Sequence, residues 1–195
     1  MKMYHISKSI LVLIWMCCII SCKNKEETDE IASLKSVVEN TLGKKLIIPA
    51  SLPTYSPFTN YIADSAAIFN SEYRIYSKVN ASCGSCITHI NLWKNLIAEF
   101  SKYKIPVILV CNSDDQFELI KYFCETGKLK SFSYPFFLDR KNEFVKKNKF
   151  MAASKNFETV LTDKNNTILL LGNPAVSKAI NKLYLKEIQK RINKD

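Results

Sequence analysis

Hydrophobic residues recur along this chain with two periods, one typical of helices and the other typical of strands. From Ile31 to Leu42 the apolar positions fall three or four residues apart and stop before Gly43. This spacing predicts an amphipathic helix that ends at the glycine. From Tyr73 to Asn80 the sequence YRIYSKVN alternates and is rich in residues that favour strands, so a strand is predicted there.

The segment between these two elements is the least regular part of the sequence. KKLIIPASLPTYSP predicts a short strand followed by an irregular connection, because three prolines interrupt it. We expect this connection to run to about residue 70.

After Asn80 the pattern changes to helical spacing and then to a continuous apolar run. A helix of about four turns is predicted, with one buried face formed by Cys86, Ile90, Trp93, Ile97 and Phe100. The run IPVILVC, bounded by a lysine and by NSDD, is typical of a strand buried on both faces of a parallel sheet. Asp114 or Asp115 is predicted to cap a further helix that ends at Gly127. Its apolar face carries Phe117, Ile120, Phe123 and Cys124.

The remaining third of the chain predicts a strand, a helix or turn, a hairpin and a closing helix. YPFFLD is the strand, RKNEFVKKNKF the helix or turn, and FETVLTDKNNTILLLG the hairpin. PAVSKAINKLYLKEIQKRINK is a basic amphipathic helix, opened by Pro174. The order of elements predicts an α/β fold with a parallel core sheet, helices on both faces and an antiparallel edge.

The start of the chain predicts export and lipidation. Lys2 and Lys8 precede the apolar run ILVLIWMCCII, which is too short for a permanent membrane span, so residues 1–21 are predicted to be a secretory signal. The sequence IISC resembles the lipobox of bacterial lipoproteins, which implies that Cys22 is lipidated and becomes the mature N-terminus. An ordinary signal peptide with an incidental cysteine is the alternative. Residues 22–30 are polar and predict a tether.

Charge and length narrow the classes of function. The chain has 195 residues, 28 Lys and Arg, 18 Asp and Glu, and a formal net charge of +10. Because the lysines are dispersed and no arginine-rich block occurs, we expect a solvated surface with some attraction to membranes, and no nucleic-acid partner. We assign residues 31–72 to an N-terminal helix with an irregular extension, and residues 73–195 to one folded domain.

The sequence NASCGSC carries the candidate chemistry, because two cysteines stand three residues apart where a strand gives way to a helix. A cysteine at a helix N-terminus lies among unpaired backbone N–H groups, which favour the thiolate. Cys83 has that position and is predicted to be the nucleophile, and Cys86, one turn later, the resolving cysteine. A structural disulfide remains an alternative.

Metal and haem sites find little support, and no cofactor is predicted. His89 lies too near Cys86 to complete the usual zinc spacing, no histidine follows it for copper, and Ile87 stands where haem attachment requires histidine. Cys111 and Cys124 are interpreted as small buried hydrophobic residues. Cys111 ends a central strand, where it is a candidate third thiol near Cys83.

The order of elements and the SCGSC motif together resemble the thioredoxin superfamily, specifically TlpA-like membrane-anchored thioredoxin-like bacterial lipoproteins. The resemblance runs from Tyr73 to the C-terminus. It implies a thioredoxin-like fold, a central mixed sheet with helices on both faces and a C-terminal β-hairpin and helix. It also implies Cys83 as nucleophile, Cys86 as resolving cysteine, protein thiols or disulfides as substrates, and a second redox protein that recharges the pair.

The sequence departs from this family at three places. Ser82 replaces the tryptophan that usually precedes the first cysteine, and Ser77 stands where thioredoxin has a buried acid. The family's cis-proline is expected just before TVLTD, where Asn156, Phe157 and Glu158 occur instead, and we expect trans bonds there. Phe157 and Glu158 are therefore candidate auxiliary residues.

Two further hypotheses remain open. In another register, Pro135 would be the missing proline and FFLD the first hairpin strand. The leading functional hypothesis is a lipid-anchored thiol:disulfide oxidoreductase of the cell envelope, facing the periplasm or the cell surface. The alternative is a non-enzymatic binding or assembly lipoprotein in which the cysteine pair is only a structural disulfide.

Overall fold

The computed structural model describes residues 29, 31–58 and 64–193. The predicted signal, Cys22 and most of the predicted tether lie outside the described residues. The chain divides into two units, Met1–Asn40 and Thr41–Asp195. Helix α1 covers residues 31–41, and Gly43 follows it with a φ of +79°, as the spacing predicted.

Strands in the described residues form one mixed sheet. They are β1 (Thr54–Tyr55), β2 (Tyr73–Asn80), β3 (Val107–Asn112), β4 (Phe136–Leu138), β5 (Thr159–Asp163) and β6 (Ile168–Leu171). Their order across the sheet is β1-β4-β3-β2-β5-β6. Strands β2, β3 and β4 are parallel, and each remaining strand is antiparallel to its neighbour. The predicted α/β fold, with a parallel core and an antiparallel hairpin, is confirmed.

Helices connect and cover these strands. They are α2 (Ser65–Phe69), α3 (Gly84–His89), α4 (Trp93–Ser101), α5 (Glu118–Glu125), α6 (Glu143–Lys147) and α7 (Lys178–Ile192). Short 3-10 helices occur at Ile90–Leu92, Lys149–Ala152 and Lys155–Phe157. The helical run after the cysteines is thus continuous from α3 to α4, with one 3-10 turn between them. Its buried face begins at Ile87, whereas Cys86 is only partly buried.

The core lies on both faces of the sheet. Residues Val107 to Cys111 of β3 are all buried, and since successive side chains of a strand point to opposite faces, both faces must be covered. Phe100 of α4 contacts Tyr184 of α7 with ring centroids 6.3 Å apart. The parallel strands β2 and β3 end side by side, and the loops that leave them are therefore adjacent.

The N-terminal extension differs from its prediction. The expected short strand is reduced to a single antiparallel bridge between Lys45 and Thr167. The connection that was expected to be irregular contains β1 and α2, and Asp64 caps α2 by accepting a hydrogen bond from Ala67 N at 2.7 Å. Two strand residues and one helical turn are too short to produce a hydrophobic period.

The hairpin of β5 and β6 is confirmed, and its turn is held by the Asp163 carboxylate. This group accepts hydrogen bonds from Asn165 N at 2.9 Å and Thr167 N at 2.7 Å. The alternative register around Pro135 is wrong, because the residues that follow this proline form β4, which pairs with β1 and β3 rather than with the hairpin.

The last helix begins later than predicted. Pro174 begins a turn over residues 174–176, and α7 starts at Lys178. Ser177 provides the N-cap, since its hydroxyl accepts a hydrogen bond from Ile180 N at 3.3 Å. A hydroxyl acceptor for the unpaired N–H groups of the first turn determines the start more strongly than the fixed φ of a proline.

Candidate functional site

The cysteine pair lies at the junction between β2 and α3. Cys83 and Cys86 form a disulfide, with their Cα atoms 5.2 Å apart. Cys83 is the N-cap residue of α3, with an extended backbone, and Cys86 N donates a hydrogen bond to Cys83 Sγ at 3.3 Å. The sulfur therefore occupies the place that a serine or aspartate oxygen takes in an ordinary N-cap, facing the unpaired N–H groups of the helix.

Both cysteines are partly accessible, and small residues separate them. Cys83 and Cys86 are each half-buried, while Ser85 is exposed. The Ser85 hydroxyl donates to Cys83 Sγ at 3.3 Å, a contact that the sequence did not reveal. A second donor on the same sulfur stabilises negative charge there when the pair is reduced.

The start of α3 packs against α5. A Cβ atom at Gly84 would lie 3.5 Å from the ring of Phe123, which is ordinary contact distance. Lys128 Nζ lies 4.9 Å from the ring centroid of Tyr122 and 5.2 Å from that of Phe123. Gly84 thus has room for a methyl group, but a larger side chain there would collide with an aromatic ring.

Ser82, the residue in place of the family's tryptophan, is a hydrogen-bonding centre. Its hydroxyl accepts from Asp114 N at 2.7 Å and from Asp115 N at 3.3 Å, and it donates to Asp115 Oδ1 at 3.1 Å. Ser113 Oγ lies 3.3 Å away. These contacts tie the loop before Cys83 to the loop between β3 and α5.

Asp115 is the other centre of this network. Its carboxylate accepts hydrogen bonds from Ser113 Oγ, from Phe117 N at 3.1 Å and from Leu119 N at 3.1 Å. The hydrogen bond from Ser113 is the largest cause that lowers the pKa of Asp115 below its usual value, followed by those from Leu119, Ser82 and Phe117. The prediction that Asp114 or Asp115 caps α5 is wrong as to the residue, because the N-cap position is Phe117, but the Asp115 carboxylate does accept a hydrogen bond from Leu119 N in the first turn of the helix.

Phe157 and Glu158 lie in the segment where the family's cis-proline was expected. Phe157 ends a 3-10 helix and is buried. Glu158 O accepts a hydrogen bond from Lys78 N at 2.8 Å, and its carboxylate pairs with Lys78 Nζ at 2.8 Å. The described residues contain no cis peptide bond, as expected. The polar contacts of Glu158 thus brace this segment against β2.

Ser77, which was compared in the sequence with a buried acid of thioredoxin, has a neutral partner. Its hydroxyl is buried and lies 2.8 Å from Thr159 Oγ1 across the β2–β5 pair. Two hydroxyl groups satisfy each other there, and neither is a proton acceptor of useful strength at neutral pH.

Cys111 and Cys124 are free cysteines. Cys111 is fully buried and pairs in register with Val79, close to the end of β2 as expected. Burial raises the pKa of Cys111 far above its usual value, and Cys124 adds to this effect. Burial, followed by the charge of Glu125, raises the pKa of Cys124 to about 11. These environments favour protonated, unreactive thiols.

Two observations on the described residues bear on the other hypotheses. His89 is exposed on α3, and no three His, Cys, Asp or Glu side chains in the described part are grouped as ligands for a metal ion. None of the described helices has the length and apolar character needed to cross a lipid bilayer.

The sequence found the two cysteines and missed the network beside them. The helix start after NASCGSC was a local signal, readable from a few neighbouring residues. The bond between Ser82 and Asp115 joins positions 33 residues apart. The only sign of this network in the sequence was an aspartate at the predicted start of α5.

Comparisons with known proteins support the fold. No protein-family model matches, and no curated protein matches. Among solved structures, a putative thiol:disulfide interchange protein DsbE from Chlorobium tepidum has a TM-score of 0.51 at 14% identity, covering 75% of this chain and 97% of that chain. A thioredoxin-like protein from Bacteroides caccae has a TM-score of 0.44 at 22% identity, covering 75% of this chain and 50% of that chain.

A third similar structure is the pneumococcal exposed lipoprotein thioredoxin (Etrx1) from Streptococcus pneumoniae strain TIGR4. Its TM-score is 0.44 at 13% identity, and the match covers 61% of this chain and 87% of that chain. The likeness to the DsbE protein and the mixed sheet of this chain support the same conclusion: the chain has a thioredoxin-like fold.

Proposed function

We propose that this protein is a lipid-anchored thiol:disulfide oxidoreductase of the cell envelope that uses the Cys83–Cys86 pair. The observation that carries the proposal is the position of Cys83 Sγ. It lies at the N-cap of a helical run, accepts a hydrogen bond from Cys86 N at 3.3 Å and is partly accessible to solvent. A thiolate in this position is stabilised by the helix and can be reached by a partner's disulfide.

The reaction conserves atoms and electrons through two exchanges. In the reduced protein the Cys83 thiolate attacks one sulfur of a partner's disulfide, which forms a mixed disulfide and releases the other partner sulfur as a thiolate. The Cys86 thiol then loses its proton to water, and the resulting thiolate attacks Cys83 Sγ and releases the second partner thiolate. Two electrons pass to the partner, and a second redox protein returns the pair to the dithiol.

Deprotonation of Cys86 proceeds without a buried acid in the family's position. Ser77 and Thr159 fill that position with hydroxyl groups. Because Cys86 is half-buried rather than sealed, water can take its proton directly. We therefore expect the resolving step to accelerate with rising pH over the range in which Cys86 titrates.

Export and anchoring rest on the sequence of residues 1–22. The charged start, the short apolar run and IISC support secretion followed by lipidation of Cys22. A Cys22→Ala variant of the full chain tests the anchor. We expect it to lose incorporation of labelled fatty acid and to leave the membrane fraction, and unchanged labelling would contradict the assignment.

The redox activity is tested by titration and by trapping. In the reduced protein, the rate of Cys83 alkylation against pH gives its pKa, which we expect within about 3.5 to 7.5. A Cys86→Ser variant should accumulate mixed disulfides with envelope proteins, and a Cys83→Ser/Cys86→Ser variant serves as the control. A pKa of Cys83 near 8.5 together with no trapped protein would refute the activity.

That negative outcome would favour the second candidate function, a binding or assembly lipoprotein with a structural disulfide. The hydroxyl groups of Ser77 and Thr159 are the observation in favour of this second function, because they leave the Cys83–Cys86 pair without a dedicated proton acceptor. In that case reduction of the disulfide would change the stability of the protein but would not produce trapped complexes.

A further inference from the structure

Three backbone and side-chain hydrogen bonds fix the loop that leads from β2 into α3. Ala81 N donates to Asn112 O at 2.7 Å, and Ser82 N donates to the Asn80 side chain at 2.9 Å. Cys83 N donates to Asn80 O at 3.4 Å. The backbone is therefore attached to the ends of β2 and β3 immediately before the redox pair.

The Ser82 hydroxyl adds a side-chain link from this loop to the start of α5. A hydroxyl group has one hydrogen and two lone pairs. The two lone pairs receive Asp114 N at 2.7 Å and Asp115 N at 3.3 Å, the latter N–H being shared with Ser113 Oγ at 3.1 Å, and the hydrogen points to Asp115 Oδ1 at 3.1 Å. All three capacities are used, so the Ser82 side chain is held in one orientation.

The Asp115 end of the link is itself immobilised. Its two carboxylate oxygens accept from Phe117 N and Leu119 N, each at 3.1 Å, and from Ser113 Oγ. Gln116 and Phe117 have φ values of 55° and 68°. Residues other than glycine adopt this left-handed backbone region infrequently, and here surrounding contacts hold them in it. The Phe117 side chain is buried, which anchors this turn in the core.

We propose that Asp115 is a positioning residue for the redox pair: acting through Ser82, it holds the loop before α3 so that Cys83 Sγ stays at the N-cap of the helix. The inference rests on the proposed function only in taking Cys83 and Cys86 as the redox centre. In the family this place is filled by a bulky tryptophan ring; here a hydrogen-bonded serine takes it.

Positioning and direct charge act on Cys83 in opposite directions. The Asp115 carboxylate is negative, so by charge alone it disfavours a nearby thiolate, and its removal would lower the Cys83 pKa. Loss of positioning removes donors from the sulfur, so it would raise the Cys83 pKa. The sign of the change therefore separates the two mechanisms.

A double-mutant cycle on the reduced full chain tests the proposal. The variants are Ser82→Ala, Asp115→Ala and the double variant, with Ser101→Ala as a matched loss of an exposed hydroxyl on α4. The readouts are the Cys83 pKa from alkylation rates and the equilibrium constant of the Cys83–Cys86 disulfide with dithiothreitol.

We expect Ser82→Ala and Asp115→Ala each to raise the Cys83 pKa by about one unit, so the thiolate fraction measured at a pH below that pKa falls about tenfold. At a pH above the Cys83 pKa, we expect the disulfide to become about tenfold harder to reduce, because the reduced form loses its stabilised thiolate. The double variant should shift no further than either single variant, and Ser101→Ala should not shift at all.

Three outcomes would overturn the proposal. The first is an unchanged Cys83 pKa in Ser82→Ala, and the second is a lowered Cys83 pKa in Asp115→Ala. The third is a change of the Cys83 pKa by Asp115→Ala that has the same size in the wild type and in the Ser82→Ala background. Failure of the proposed oxidoreductase activity is distinguishable, because the dithiothreitol equilibrium reports on the disulfide whether or not any partner protein is trapped.

Discussion

Two pairs of cysteines share one domain but differ in their surroundings. Cys83 and Cys86 lie where a strand gives way to a helix, are half-buried, and have amide and hydroxyl donors on the Cys83 sulfur. Cys111 is fully buried within the sheet, and Cys124 on α5 is half-buried against the core; burial raises the pKa of both thiols. The difference shows that position in the fold, rather than the thiol itself, decides which cysteines are suited to exchange chemistry.

The largest expected effect is the contrast in alkylation rate. At pH 7 in the reduced protein, Cys83 should react about 10²-fold faster than Cys124, since the thiolate fraction outweighs the greater nucleophilicity of a more basic thiolate. Because the pKa of Cys124 is raised to about 11, its rate should keep rising with pH up to that value. Mass spectrometry of labelled peptides over a pH series measures both rates.

In the same experiment, Cys111 should stay unlabelled until the protein is unfolded. Denatured protein provides the control, because all reduced cysteines should then react at similar rates. Comparable labelling rates of Cys83 and Cys124 in the folded protein would contradict the expected difference in reactivity between the two pairs.

The next effect concerns stability. Cys111→Ser should lower the free energy of unfolding by about 2 kcal/mol, because it buries a hydroxyl group in the apolar interior of the sheet. Cys83→Ser, compared with the wild type under reducing conditions, should cost less than about 0.5 kcal/mol, since serine is a good N-cap residue. Urea denaturation measures both values, and equal costs would contradict the assignment of environments.

A smaller effect is expected at the network of hydrogen bonds beside the Cys83–Cys86 pair. Asp115→Ala should cost about 1 kcal/mol at pH 7, through lost hydrogen bonds to the start of α5. The folded state lowers the pKa of Asp115. Its contribution is therefore complete above the ordinary pKa near 4 and is lost as the pH falls through the lowered value.

Denaturation of the wild type and Asp115→Ala over a series of pH values measures this dependence. The two stabilities should converge in acid. Curves that remain parallel down to the lowest pH at which the protein folds would show that the carboxylate charge plays no part in stabilising the start of α5.

The smallest effect is expected for the ion pair that braces the segment before β5. Glu158→Gln should cost less than about 1 kcal/mol, because Lys78 and Glu158 remain 21% and 28% exposed. The more exposed pair of Lys164 and Glu72 provides the control, and Glu72→Gln should cost still less. Denaturation at low and high salt measures both, and a larger cost for Glu72→Gln would reverse the expected order.

The sequence predicted the elements that are long and periodic. β2, β3, the helical run after the cysteines and the hairpin each carry a hydrophobic period or a continuous apolar run, and burial enforces both patterns. β1 and α2 escaped because two residues and five residues do not complete a readable pattern. The start of α7 was misplaced because the proline signal competed with a serine cap three residues later.

The candidate site divides in the same way. Cys83 and Cys86 were predictable because a helix start is a local property of the chain. The link between Ser82 and Asp115 was not, because it depends on the parallel pairing of β2 and β3, which places two distant loops side by side. Ser77 was recognised as a departure from the family, but its partner Thr159 required the antiparallel register of β2 and β5.

Residues 43–55 cover part of both sides of the sheet core. An open sheet presents unpaired backbone groups on its outermost strands, where a strand from another molecule can add. Here residues 43–46 hydrogen-bond to residues 166–168 beside β6, and β1 pairs with β4 on the opposite side. A chain truncated to begin at Tyr73 would lose β1 and residues 43–46, would expose β4 and residues 166–168, and is expected to aggregate, so expression of this domain should start no later than Thr41.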